Sequence, residues 1–134
     1  MCNQTGLEKL GGVTPLARIL DYSDAAVEPT DWPVAPARGV QQLLQRNKLR
    51  VEDIDLWEIN EAFAVVVLAN CHLLGLDLAR VNVHGGAIAV GHPFGMSGAR
   101  ITNHLILSMR PGQLGVATLC NGGGGAGSIL VQRL

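Results

Sequence analysis

The sequence predicts an α/β fold with a mixed five-stranded sheet in the order β-α-β-α-β-α-β-β. Three observations predict it. Short apolar runs with strand character alternate with helical periodicities, which is the pattern of α/β architecture. The run Leu114–Cys120 is apolar on both faces, as a central strand is. The 134 residues suffice for one domain with a core of its own and not for two.

Residues 1–12 read as the remnant of a preceding segment, with a helix end at Leu7–Leu10 stopped by Gly11 and Gly12. The domain proper spans 13–134. Val13–Tyr22 reads as the first strand, with Pro15 marking an edge or an entry point. Ser23–Pro36 is rich in turn formers but carries Val27, Trp32 and Val34, which need burial, so it reads as an ordered loop. In Ala37–Asn47, Val40, Leu43 and Leu44 share one helical face, opposite Gln41, Gln45 and Arg46. A turn at Val51–Asp53 leads to the alternating strand Ile54–Ile59.

The next segment, Asn60–Leu74, reads as a helix. Asn60 is placed as N-cap, Glu61 lies in the first turn, and Gly75 is the stop. The triplet Val65–Val67 makes a strand the competing reading. As a helix it is apolar all round from Ala62 to Ala69 and belongs in a middle layer. Val81–Val83 is a third, short strand. Ser97 is placed as the cap of a helix Gly98–Met109, which Pro111-Gly112 ends. Leu114–Cys120 and Ser128–Arg133 are the last two strands, joined by the glycine turn that starts at Asn121 and plausibly antiparallel.

Composition bounds the function. Charged residues make up 16% of the chain and apolar ones 48%, against roughly 25% charged in an ordinary soluble domain. So apolar a small domain should be covered by something outside this chain. The formal net charge of −1 offers nothing to a nucleic acid or an anionic membrane. No apolar run approaches the ~18 residues of a membrane span, and the N-terminus shows no secretory signal. Three cysteines, few and odd in number, point to a reducing, intracellular setting.

The chemistry concentrates in the loop Gly85–Gly98. Its five glycines hold one imidazole, His92, between Gly91 and Pro93. Two readings stand: a buried turn whose His92 caps a carbonyl, and a rigid mount for a catalytic base. The glycine run after Cys120 lacks a phosphate-loop ending and precedes a strand, which excludes a nucleotide loop. His72, His84, His92, His104, Cys71 and Cys120 include no pair with zinc-like spacing. Ser97 sits in no nucleophile elbow. Cys71 reads as a core residue on the apolar helix. Cys120 is different, because it ends a strand where bare backbone N–H groups can face an anion.

Three motifs occur in order: Asn60-Glu61-Ala62-Phe63, Gly91-His92-Pro93 and Cys120-Asn121-Gly122-Gly123-Gly124, with 32 residues from Asn60 to His92 and 28 from His92 to Cys120. In this set the chain resembles the C-terminal half of the thiolase family from about Val13 to Leu134, closest to its mitochondrial acetoacetyl-CoA branch. Val13–Ile19, Asp24–Pro29, Trp57-Glu58 and Asn121 add to the resemblance. It implies Claisen condensation of two acetyl-CoA molecules, or thiolytic cleavage of acetoacetyl-CoA. His92 is then the base that activates a nucleophilic cysteine, and Cys120 moves the α-proton. Asn60 holds a water at the enolate oxygen, and the Gly122 N–H serves a second oxyanion hole. Trp32 and Pro33 match an aromatic-Pro pair near the acyl pocket, and the Ile88 carbonyl matches a potassium ligand. Phe94 and Trp32 depart from the usual residues and leave acyl specificity open.

The resemblance implies further partners and properties. CoA is a substrate, no cofactor is needed, and potassium is the possible ion. The nucleophile and the CoA-gripping loop lie in an N-terminal half, and the assembly is a homo-oligomer, a tetramer in this branch. The location is mitochondrial, although this chain shows no transit peptide. The rival reading is an inactive thiolase-fold module that only dimerises or binds.

Overall fold

The computed structural model describes residues 1–134. Its elements, in order, are α1 (Gln4–Leu10), β1 (Ala17–Ala26), a 3-10 turn over Pro29–Val34, α2 (Ala35–Asn47), β2 (Leu56–Ile59), α3 (Ala64–Leu74), α4 (Ala87–Val90), α5 (Ser97–Ser108), β3 (Leu114–Cys120) and β4 (Gly125–Arg133). Further 3-10 turns span Val51–Asp53 and Leu78–Arg80. No helix is long and apolar enough to cross a membrane.

The sheet is mixed, in the order β1-β4-β3-β2, with only β2 and β3 parallel. Side-chain alternation along β3 and β4 sends Val116, Cys120 and Leu130 to one face, against α2 and α3. Ala117 and Val131 go to the other, against Ile101, Leu105 and Met109 on and just after α5. The domain is therefore a three-layer α/β/α sandwich. Gly39 lets α2 approach the sheet, since a Cβ there would lie 2.8 Å from Ser128 Oγ. Asn70, fully buried on α3, ties the helical layer together. Its Oδ1 accepts from Ala37 N at 2.7 Å, and its Nδ2 donates to Pro33 O at 2.7 Å and to Val66 O.

Several expectations need correction. The sheet has four strands, not five, because Val81–Val83 contributes only a single bridge, Val81 to Trp57. The reason is Asn82, which adopts φ +47° and replaces the backbone ladder with its side chain. Its Oδ1 accepts from Ile59 N at 2.9 Å and its Nδ2 donates to Ile59 O at 2.8 Å. The helix expected from residue 61 starts at Ala64, with Phe63 extended in front of it, and Asn60 caps nothing. Nor does Ser97 cap α5, since the residue at the cap position is Met96 and makes no side-chain cap bond. The first strand is shifted to Ala17–Ala26, and the last begins three residues early because the glycine turn closes at Gly125. Leu114–Cys120 is a strand over the expected range.

α3 is not enclosed. Val66, Asn70, Cys71 and Leu74 are buried, while Val65 and Leu68 are more than half exposed, as is Phe63 just before the helix. The uniformly apolar segment thus has one covered face and one bare one.

Candidate active site

β2 and β3 run parallel, so their carboxyl ends share a rim of the sheet, where α/β sheets place their sites. Asn60 follows the last residue of β2, and Cys120 is the last residue of β3. His92 reaches the same rim from the loop between α4 and α5. A cavity of about 570 Å³ opens there, lined by His92, Cys120, Gly122, Trp32, Phe63 and Phe94 among others.

His92 is held at both ring nitrogens. Asn60 Nδ2 lies 3.3 Å from Nε2, and Ser97 Oγ lies 2.6 Å from Nδ1. An amide N–H can only donate, so Nε2 carries the lone pair and Nδ1–H donates to Ser97. The Ser97 hydroxyl in turn donates to Pro93 O at 3.2 Å. The imidazole is thereby oriented, with Nε2 at Asn60. The Phe94 ring stands edge-on to it, 5.7 Å between centroids. Asn60 is 1% exposed, and its Oδ1 is buried without a partner.

The loop that carries His92 hangs from Glu61. One carboxylate oxygen accepts from Asn82 Nδ2 at 3.1 Å, the other from Ile88 N at 2.9 Å. A Cβ at Gly86 would stand 2.6 Å from the Glu61 carboxyl carbon, so a larger residue there would displace the Glu61 side chain from its hold on the loop.

Cys120 is buried, and burial pushes its thiol above the usual cysteine range, outweighing an opposing backbone hydrogen bond. Beyond it, Asn121 Oδ1 accepts from the N–H groups of Gly123 (3.0 Å) and Gly125 (3.1 Å). The Gly122 N–H donates to nothing in the chain and lies at the cavity. The turn thus leaves one donor bare beside one thiol.

The remaining expected residues are distributed unevenly. Trp32 lines the cavity and packs on Phe63, centroids 5.7 Å apart. Pro33 stands behind it, its carbonyl tied to Asn70, and is not at the cavity wall. Ile88 is exposed on the short α4. No three His, Cys, Asp or Glu side chains close around a common point. The other two thiols are elsewhere: Cys71 is buried in the helical layer and Cys2 is exposed near the N-terminus. Sequence reasoning missed Ser97 as the group that orients His92 and Glu61 as the anchor of the loop. Ser97 had a signal, since it lies five residues past His92, on the first turn of the helix that Pro93 introduces.

The profile of the family "Thiolase, C-terminal domain" matches residues 13–133. The chain belongs to the thiolase family, as its C-terminal domain. "Acetyl-CoA acetyltransferase A, mitochondrial" of Xenopus laevis is 58% identical over 122 residues, 91% of this chain and 29% of that protein. The corresponding Macaca fascicularis enzyme is 53% identical over 129 residues, 96% of this chain and 30% of that protein. Among solved thiolases, Acat5 from Ascaris suum, in complex with coenzyme A, superposes with a TM-score of 0.93 at 51% identity, covering 96% of this chain and 34% of that one. Human mitochondrial 3-ketoacyl-CoA thiolase superposes with a TM-score of 0.91 at 40% identity, covering 98% of this chain and 33% of that one. This thiolase domain therefore spans about a third of the length of the relatives it matches.

Proposed function

We propose that this domain supplies the base, the proton-transferring thiol and the oxyanion donors of an acetyl-CoA C-acetyltransferase. The observation that carries the reading is the convergence on one cavity of His92, Cys120 and Gly122, whose N–H is free, with Asn60 at Nε2 of the imidazole and Ser97 behind it at Nδ1.

The chemistry follows from these groups. The Nε2 lone pair of His92 accepts the proton of a nucleophilic thiol supplied from outside this domain. That thiolate attacks the thioester carbonyl to give a tetrahedral oxyanion met by the Gly122 N–H; the CoA thiolate then leaves with the proton of the Cys120 thiol, and an acyl-enzyme remains. Cys120 in its thiolate form then takes a proton from the acetyl Cα of a second thioester. The enolate oxygen is stabilised from the Asn60–His92 side. Its carbon attacks the acyl-enzyme and expels the nucleophilic thiolate. The elevated thiol of Cys120 keeps it protonated at rest, which suits the reverse step, in which it returns the proton. Trp32 and Phe94 give the cavity apolar aromatic walls for an acyl group.

The names of the relatives support an acetyl substrate and a mitochondrial location. A homo-oligomer completed by an N-terminal half, with potassium at the Ile88 carbonyl, belongs to the same reading. No step depends on the ion. By itself the chain is inactive, because Cys71 is buried away from the cavity and Cys2 lies on a short helix-bearing terminus.

The test is a chimera in which residues 13–133 replace the matching segment of the Ascaris suum thiolase. Thiolysis of acetoacetyl-CoA that is lost on His92→Ala and on Cys120→Ala supports the reading. A folded chimera without activity, or activity indifferent to both substitutions, overturns it.

A further inference from the structure

Outside the cavity, the fold builds a second cluster that the thiolase reading does not use. His84 precedes the glycine loop, and His104 and Ser108 lie one turn apart on α5. His84 Nδ1 is 3.2 Å from His104 Nε2, and Ser108 Oγ is 3.4 Å from each. Glu58 Oε1, on the α5 side of β2, is 3.7 Å from His104 Nε2. The two rings meet nearly at right angles, 5.2 Å between centroids. None of these residues lines the cavity. Their sequence separations gave no hint of a site, because the fold brings together residues that are 20 and more apart.

We propose that His84 and His104, completed by Ser108, Glu58 or water, bind a divalent transition-metal ion of the zinc–copper–nickel class. A tetrahedral ion with nitrogen ligands at about 2.0–2.1 Å needs its ligand atoms about 3.3 Å apart. The imidazole nitrogens are already at that spacing, and the hydroxyl is within a tenth or so of it. Glu58 is a few tenths too far, so the two imidazoles and the carboxylate do not enclose an ion unaided. The ion therefore sits on a two-imidazole chelate, with Ser108 and water, or a small shift of Glu58, filling the other positions. Imidazole is a borderline donor that favours copper, nickel and zinc, whereas calcium and magnesium take oxygen ligands. His84 is exposed and gives the ion an entry path. Without metal, the same nitrogens share a hydrogen bond, one ring donating to the other's lone pair. Metal would replace that proton and clamp the start of the His92 loop onto α5.

The experiment titrates the chelator-stripped 134-residue chain, in a Cys2→Ser background that removes the exposed thiol, with ZnCl2, NiCl2 and CuCl2 by calorimetry. MgCl2 and CaCl2 serve as controls. One transition-metal ion per chain is expected, with affinity weakened at least about tenfold in His84→Ala and in His104→Gln. In the unsubstituted background, substoichiometric Cu2+ should broaden the ring proton resonances of His84 and His104 before those of His72 and His92. That readout decides the question even where a variant folds poorly. Absence of binding, equal binding of magnesium, affinities unchanged in both variants, or broadening centred on another histidine would each overturn the proposal and leave a surface hydrogen-bond cluster.

Discussion

Replacing Glu58 with glutamine should remove a pH dependence from the stability of this domain. The carboxylate is 4% exposed in the layer between β2 and α5 and makes no hydrogen bond. Burial, reinforced by the nearby Glu61 and only partly offset by Arg100, raises its pKa from 4.5 to about 7. The folded chain thus keeps a proton on Glu58 up to about pH 7, while the unfolded chain loses it near 4.5. Between those values the folded state binds more protons, so this group's contribution to stability falls as pH rises. The penalty is absent below about pH 4.5 and complete above about pH 7. At about 1.4 kcal/mol per pH unit, the interval amounts to roughly 3 kcal/mol. Glutamine keeps the shape and carries no charge. Urea denaturation at pH 4.5, 6 and 8 should find Glu58→Gln about as stable as the parent at the lowest pH and more stable by up to roughly 3 kcal/mol at the highest. Titrating groups remote from Glu58 cancel in the difference, whereas His104, 3.7 Å away, and Glu61 adjoin it. A stability difference that does not grow with pH, or a parent more stable at pH 8, would refute a carboxylate raised by burial at this position.

Other consequences are equally measurable. Asn70→Ala strands Ala37 N and Pro33 O, and should cost about 2–6 kcal/mol in denaturant unfolding, at about 1–3 kcal/mol for each buried group left unpaired. In the chimera, Asn60→Ala should lower kcat about 10²- to 10³-fold, as for an oxyanion donor. It should change stability by less than about 1 kcal/mol, since Asn60 caps no helix and its carbonyl has no partner to lose. Ser97→Ala frees His92 Nδ1 and should lower kcat about tenfold or more with KM little changed, while Ser97→Thr restores part of it. Iodoacetamide at pH 8 should label the exposed Cys2 well before the buried, elevated Cys120, as read by peptide mass spectrometry.

The legible parts of this protein were those that one local pattern decides. Leu114–Cys120 is a run apolar on both faces, and only a central strand accommodates it. The amphipathic α2 follows from Val40, Leu43 and Leu44. The bare side of α3 was foreshadowed by a segment with no wet face and a chain with too few charges to cover itself. What escaped is side-chain competition with the backbone. Asn82 displaces a strand ladder with its own amide, Glu61 pins a loop instead of favouring a helix dipole, and Ser97 orients an imidazole instead of capping. In each case a polar side chain had a local role available and a tertiary one that won, and only the partner's position reveals which. At the site, the motifs located Asn60, His92 and Cys120, while the retreat of Pro33 behind Trp32 depended on the buried amide of Asn70, thirty-seven residues away.

The strand order has a consequence for the sequence of folding events. β3 and β4 are neighbours in the chain, and their antiparallel pairing closes a short turn. β1 has only β4 beside it, with Ala17 opposite Arg133. Its pairing must therefore wait for the last residues of the domain to appear, and it closes a loop of more than a hundred residues, with the entropy and slowness such long-range closure carries. During synthesis β1 emerges before β4 and keeps an unpaired backbone edge until β4 appears. Loss of β4 from the end of the chain would leave β1 with no neighbour to pair with.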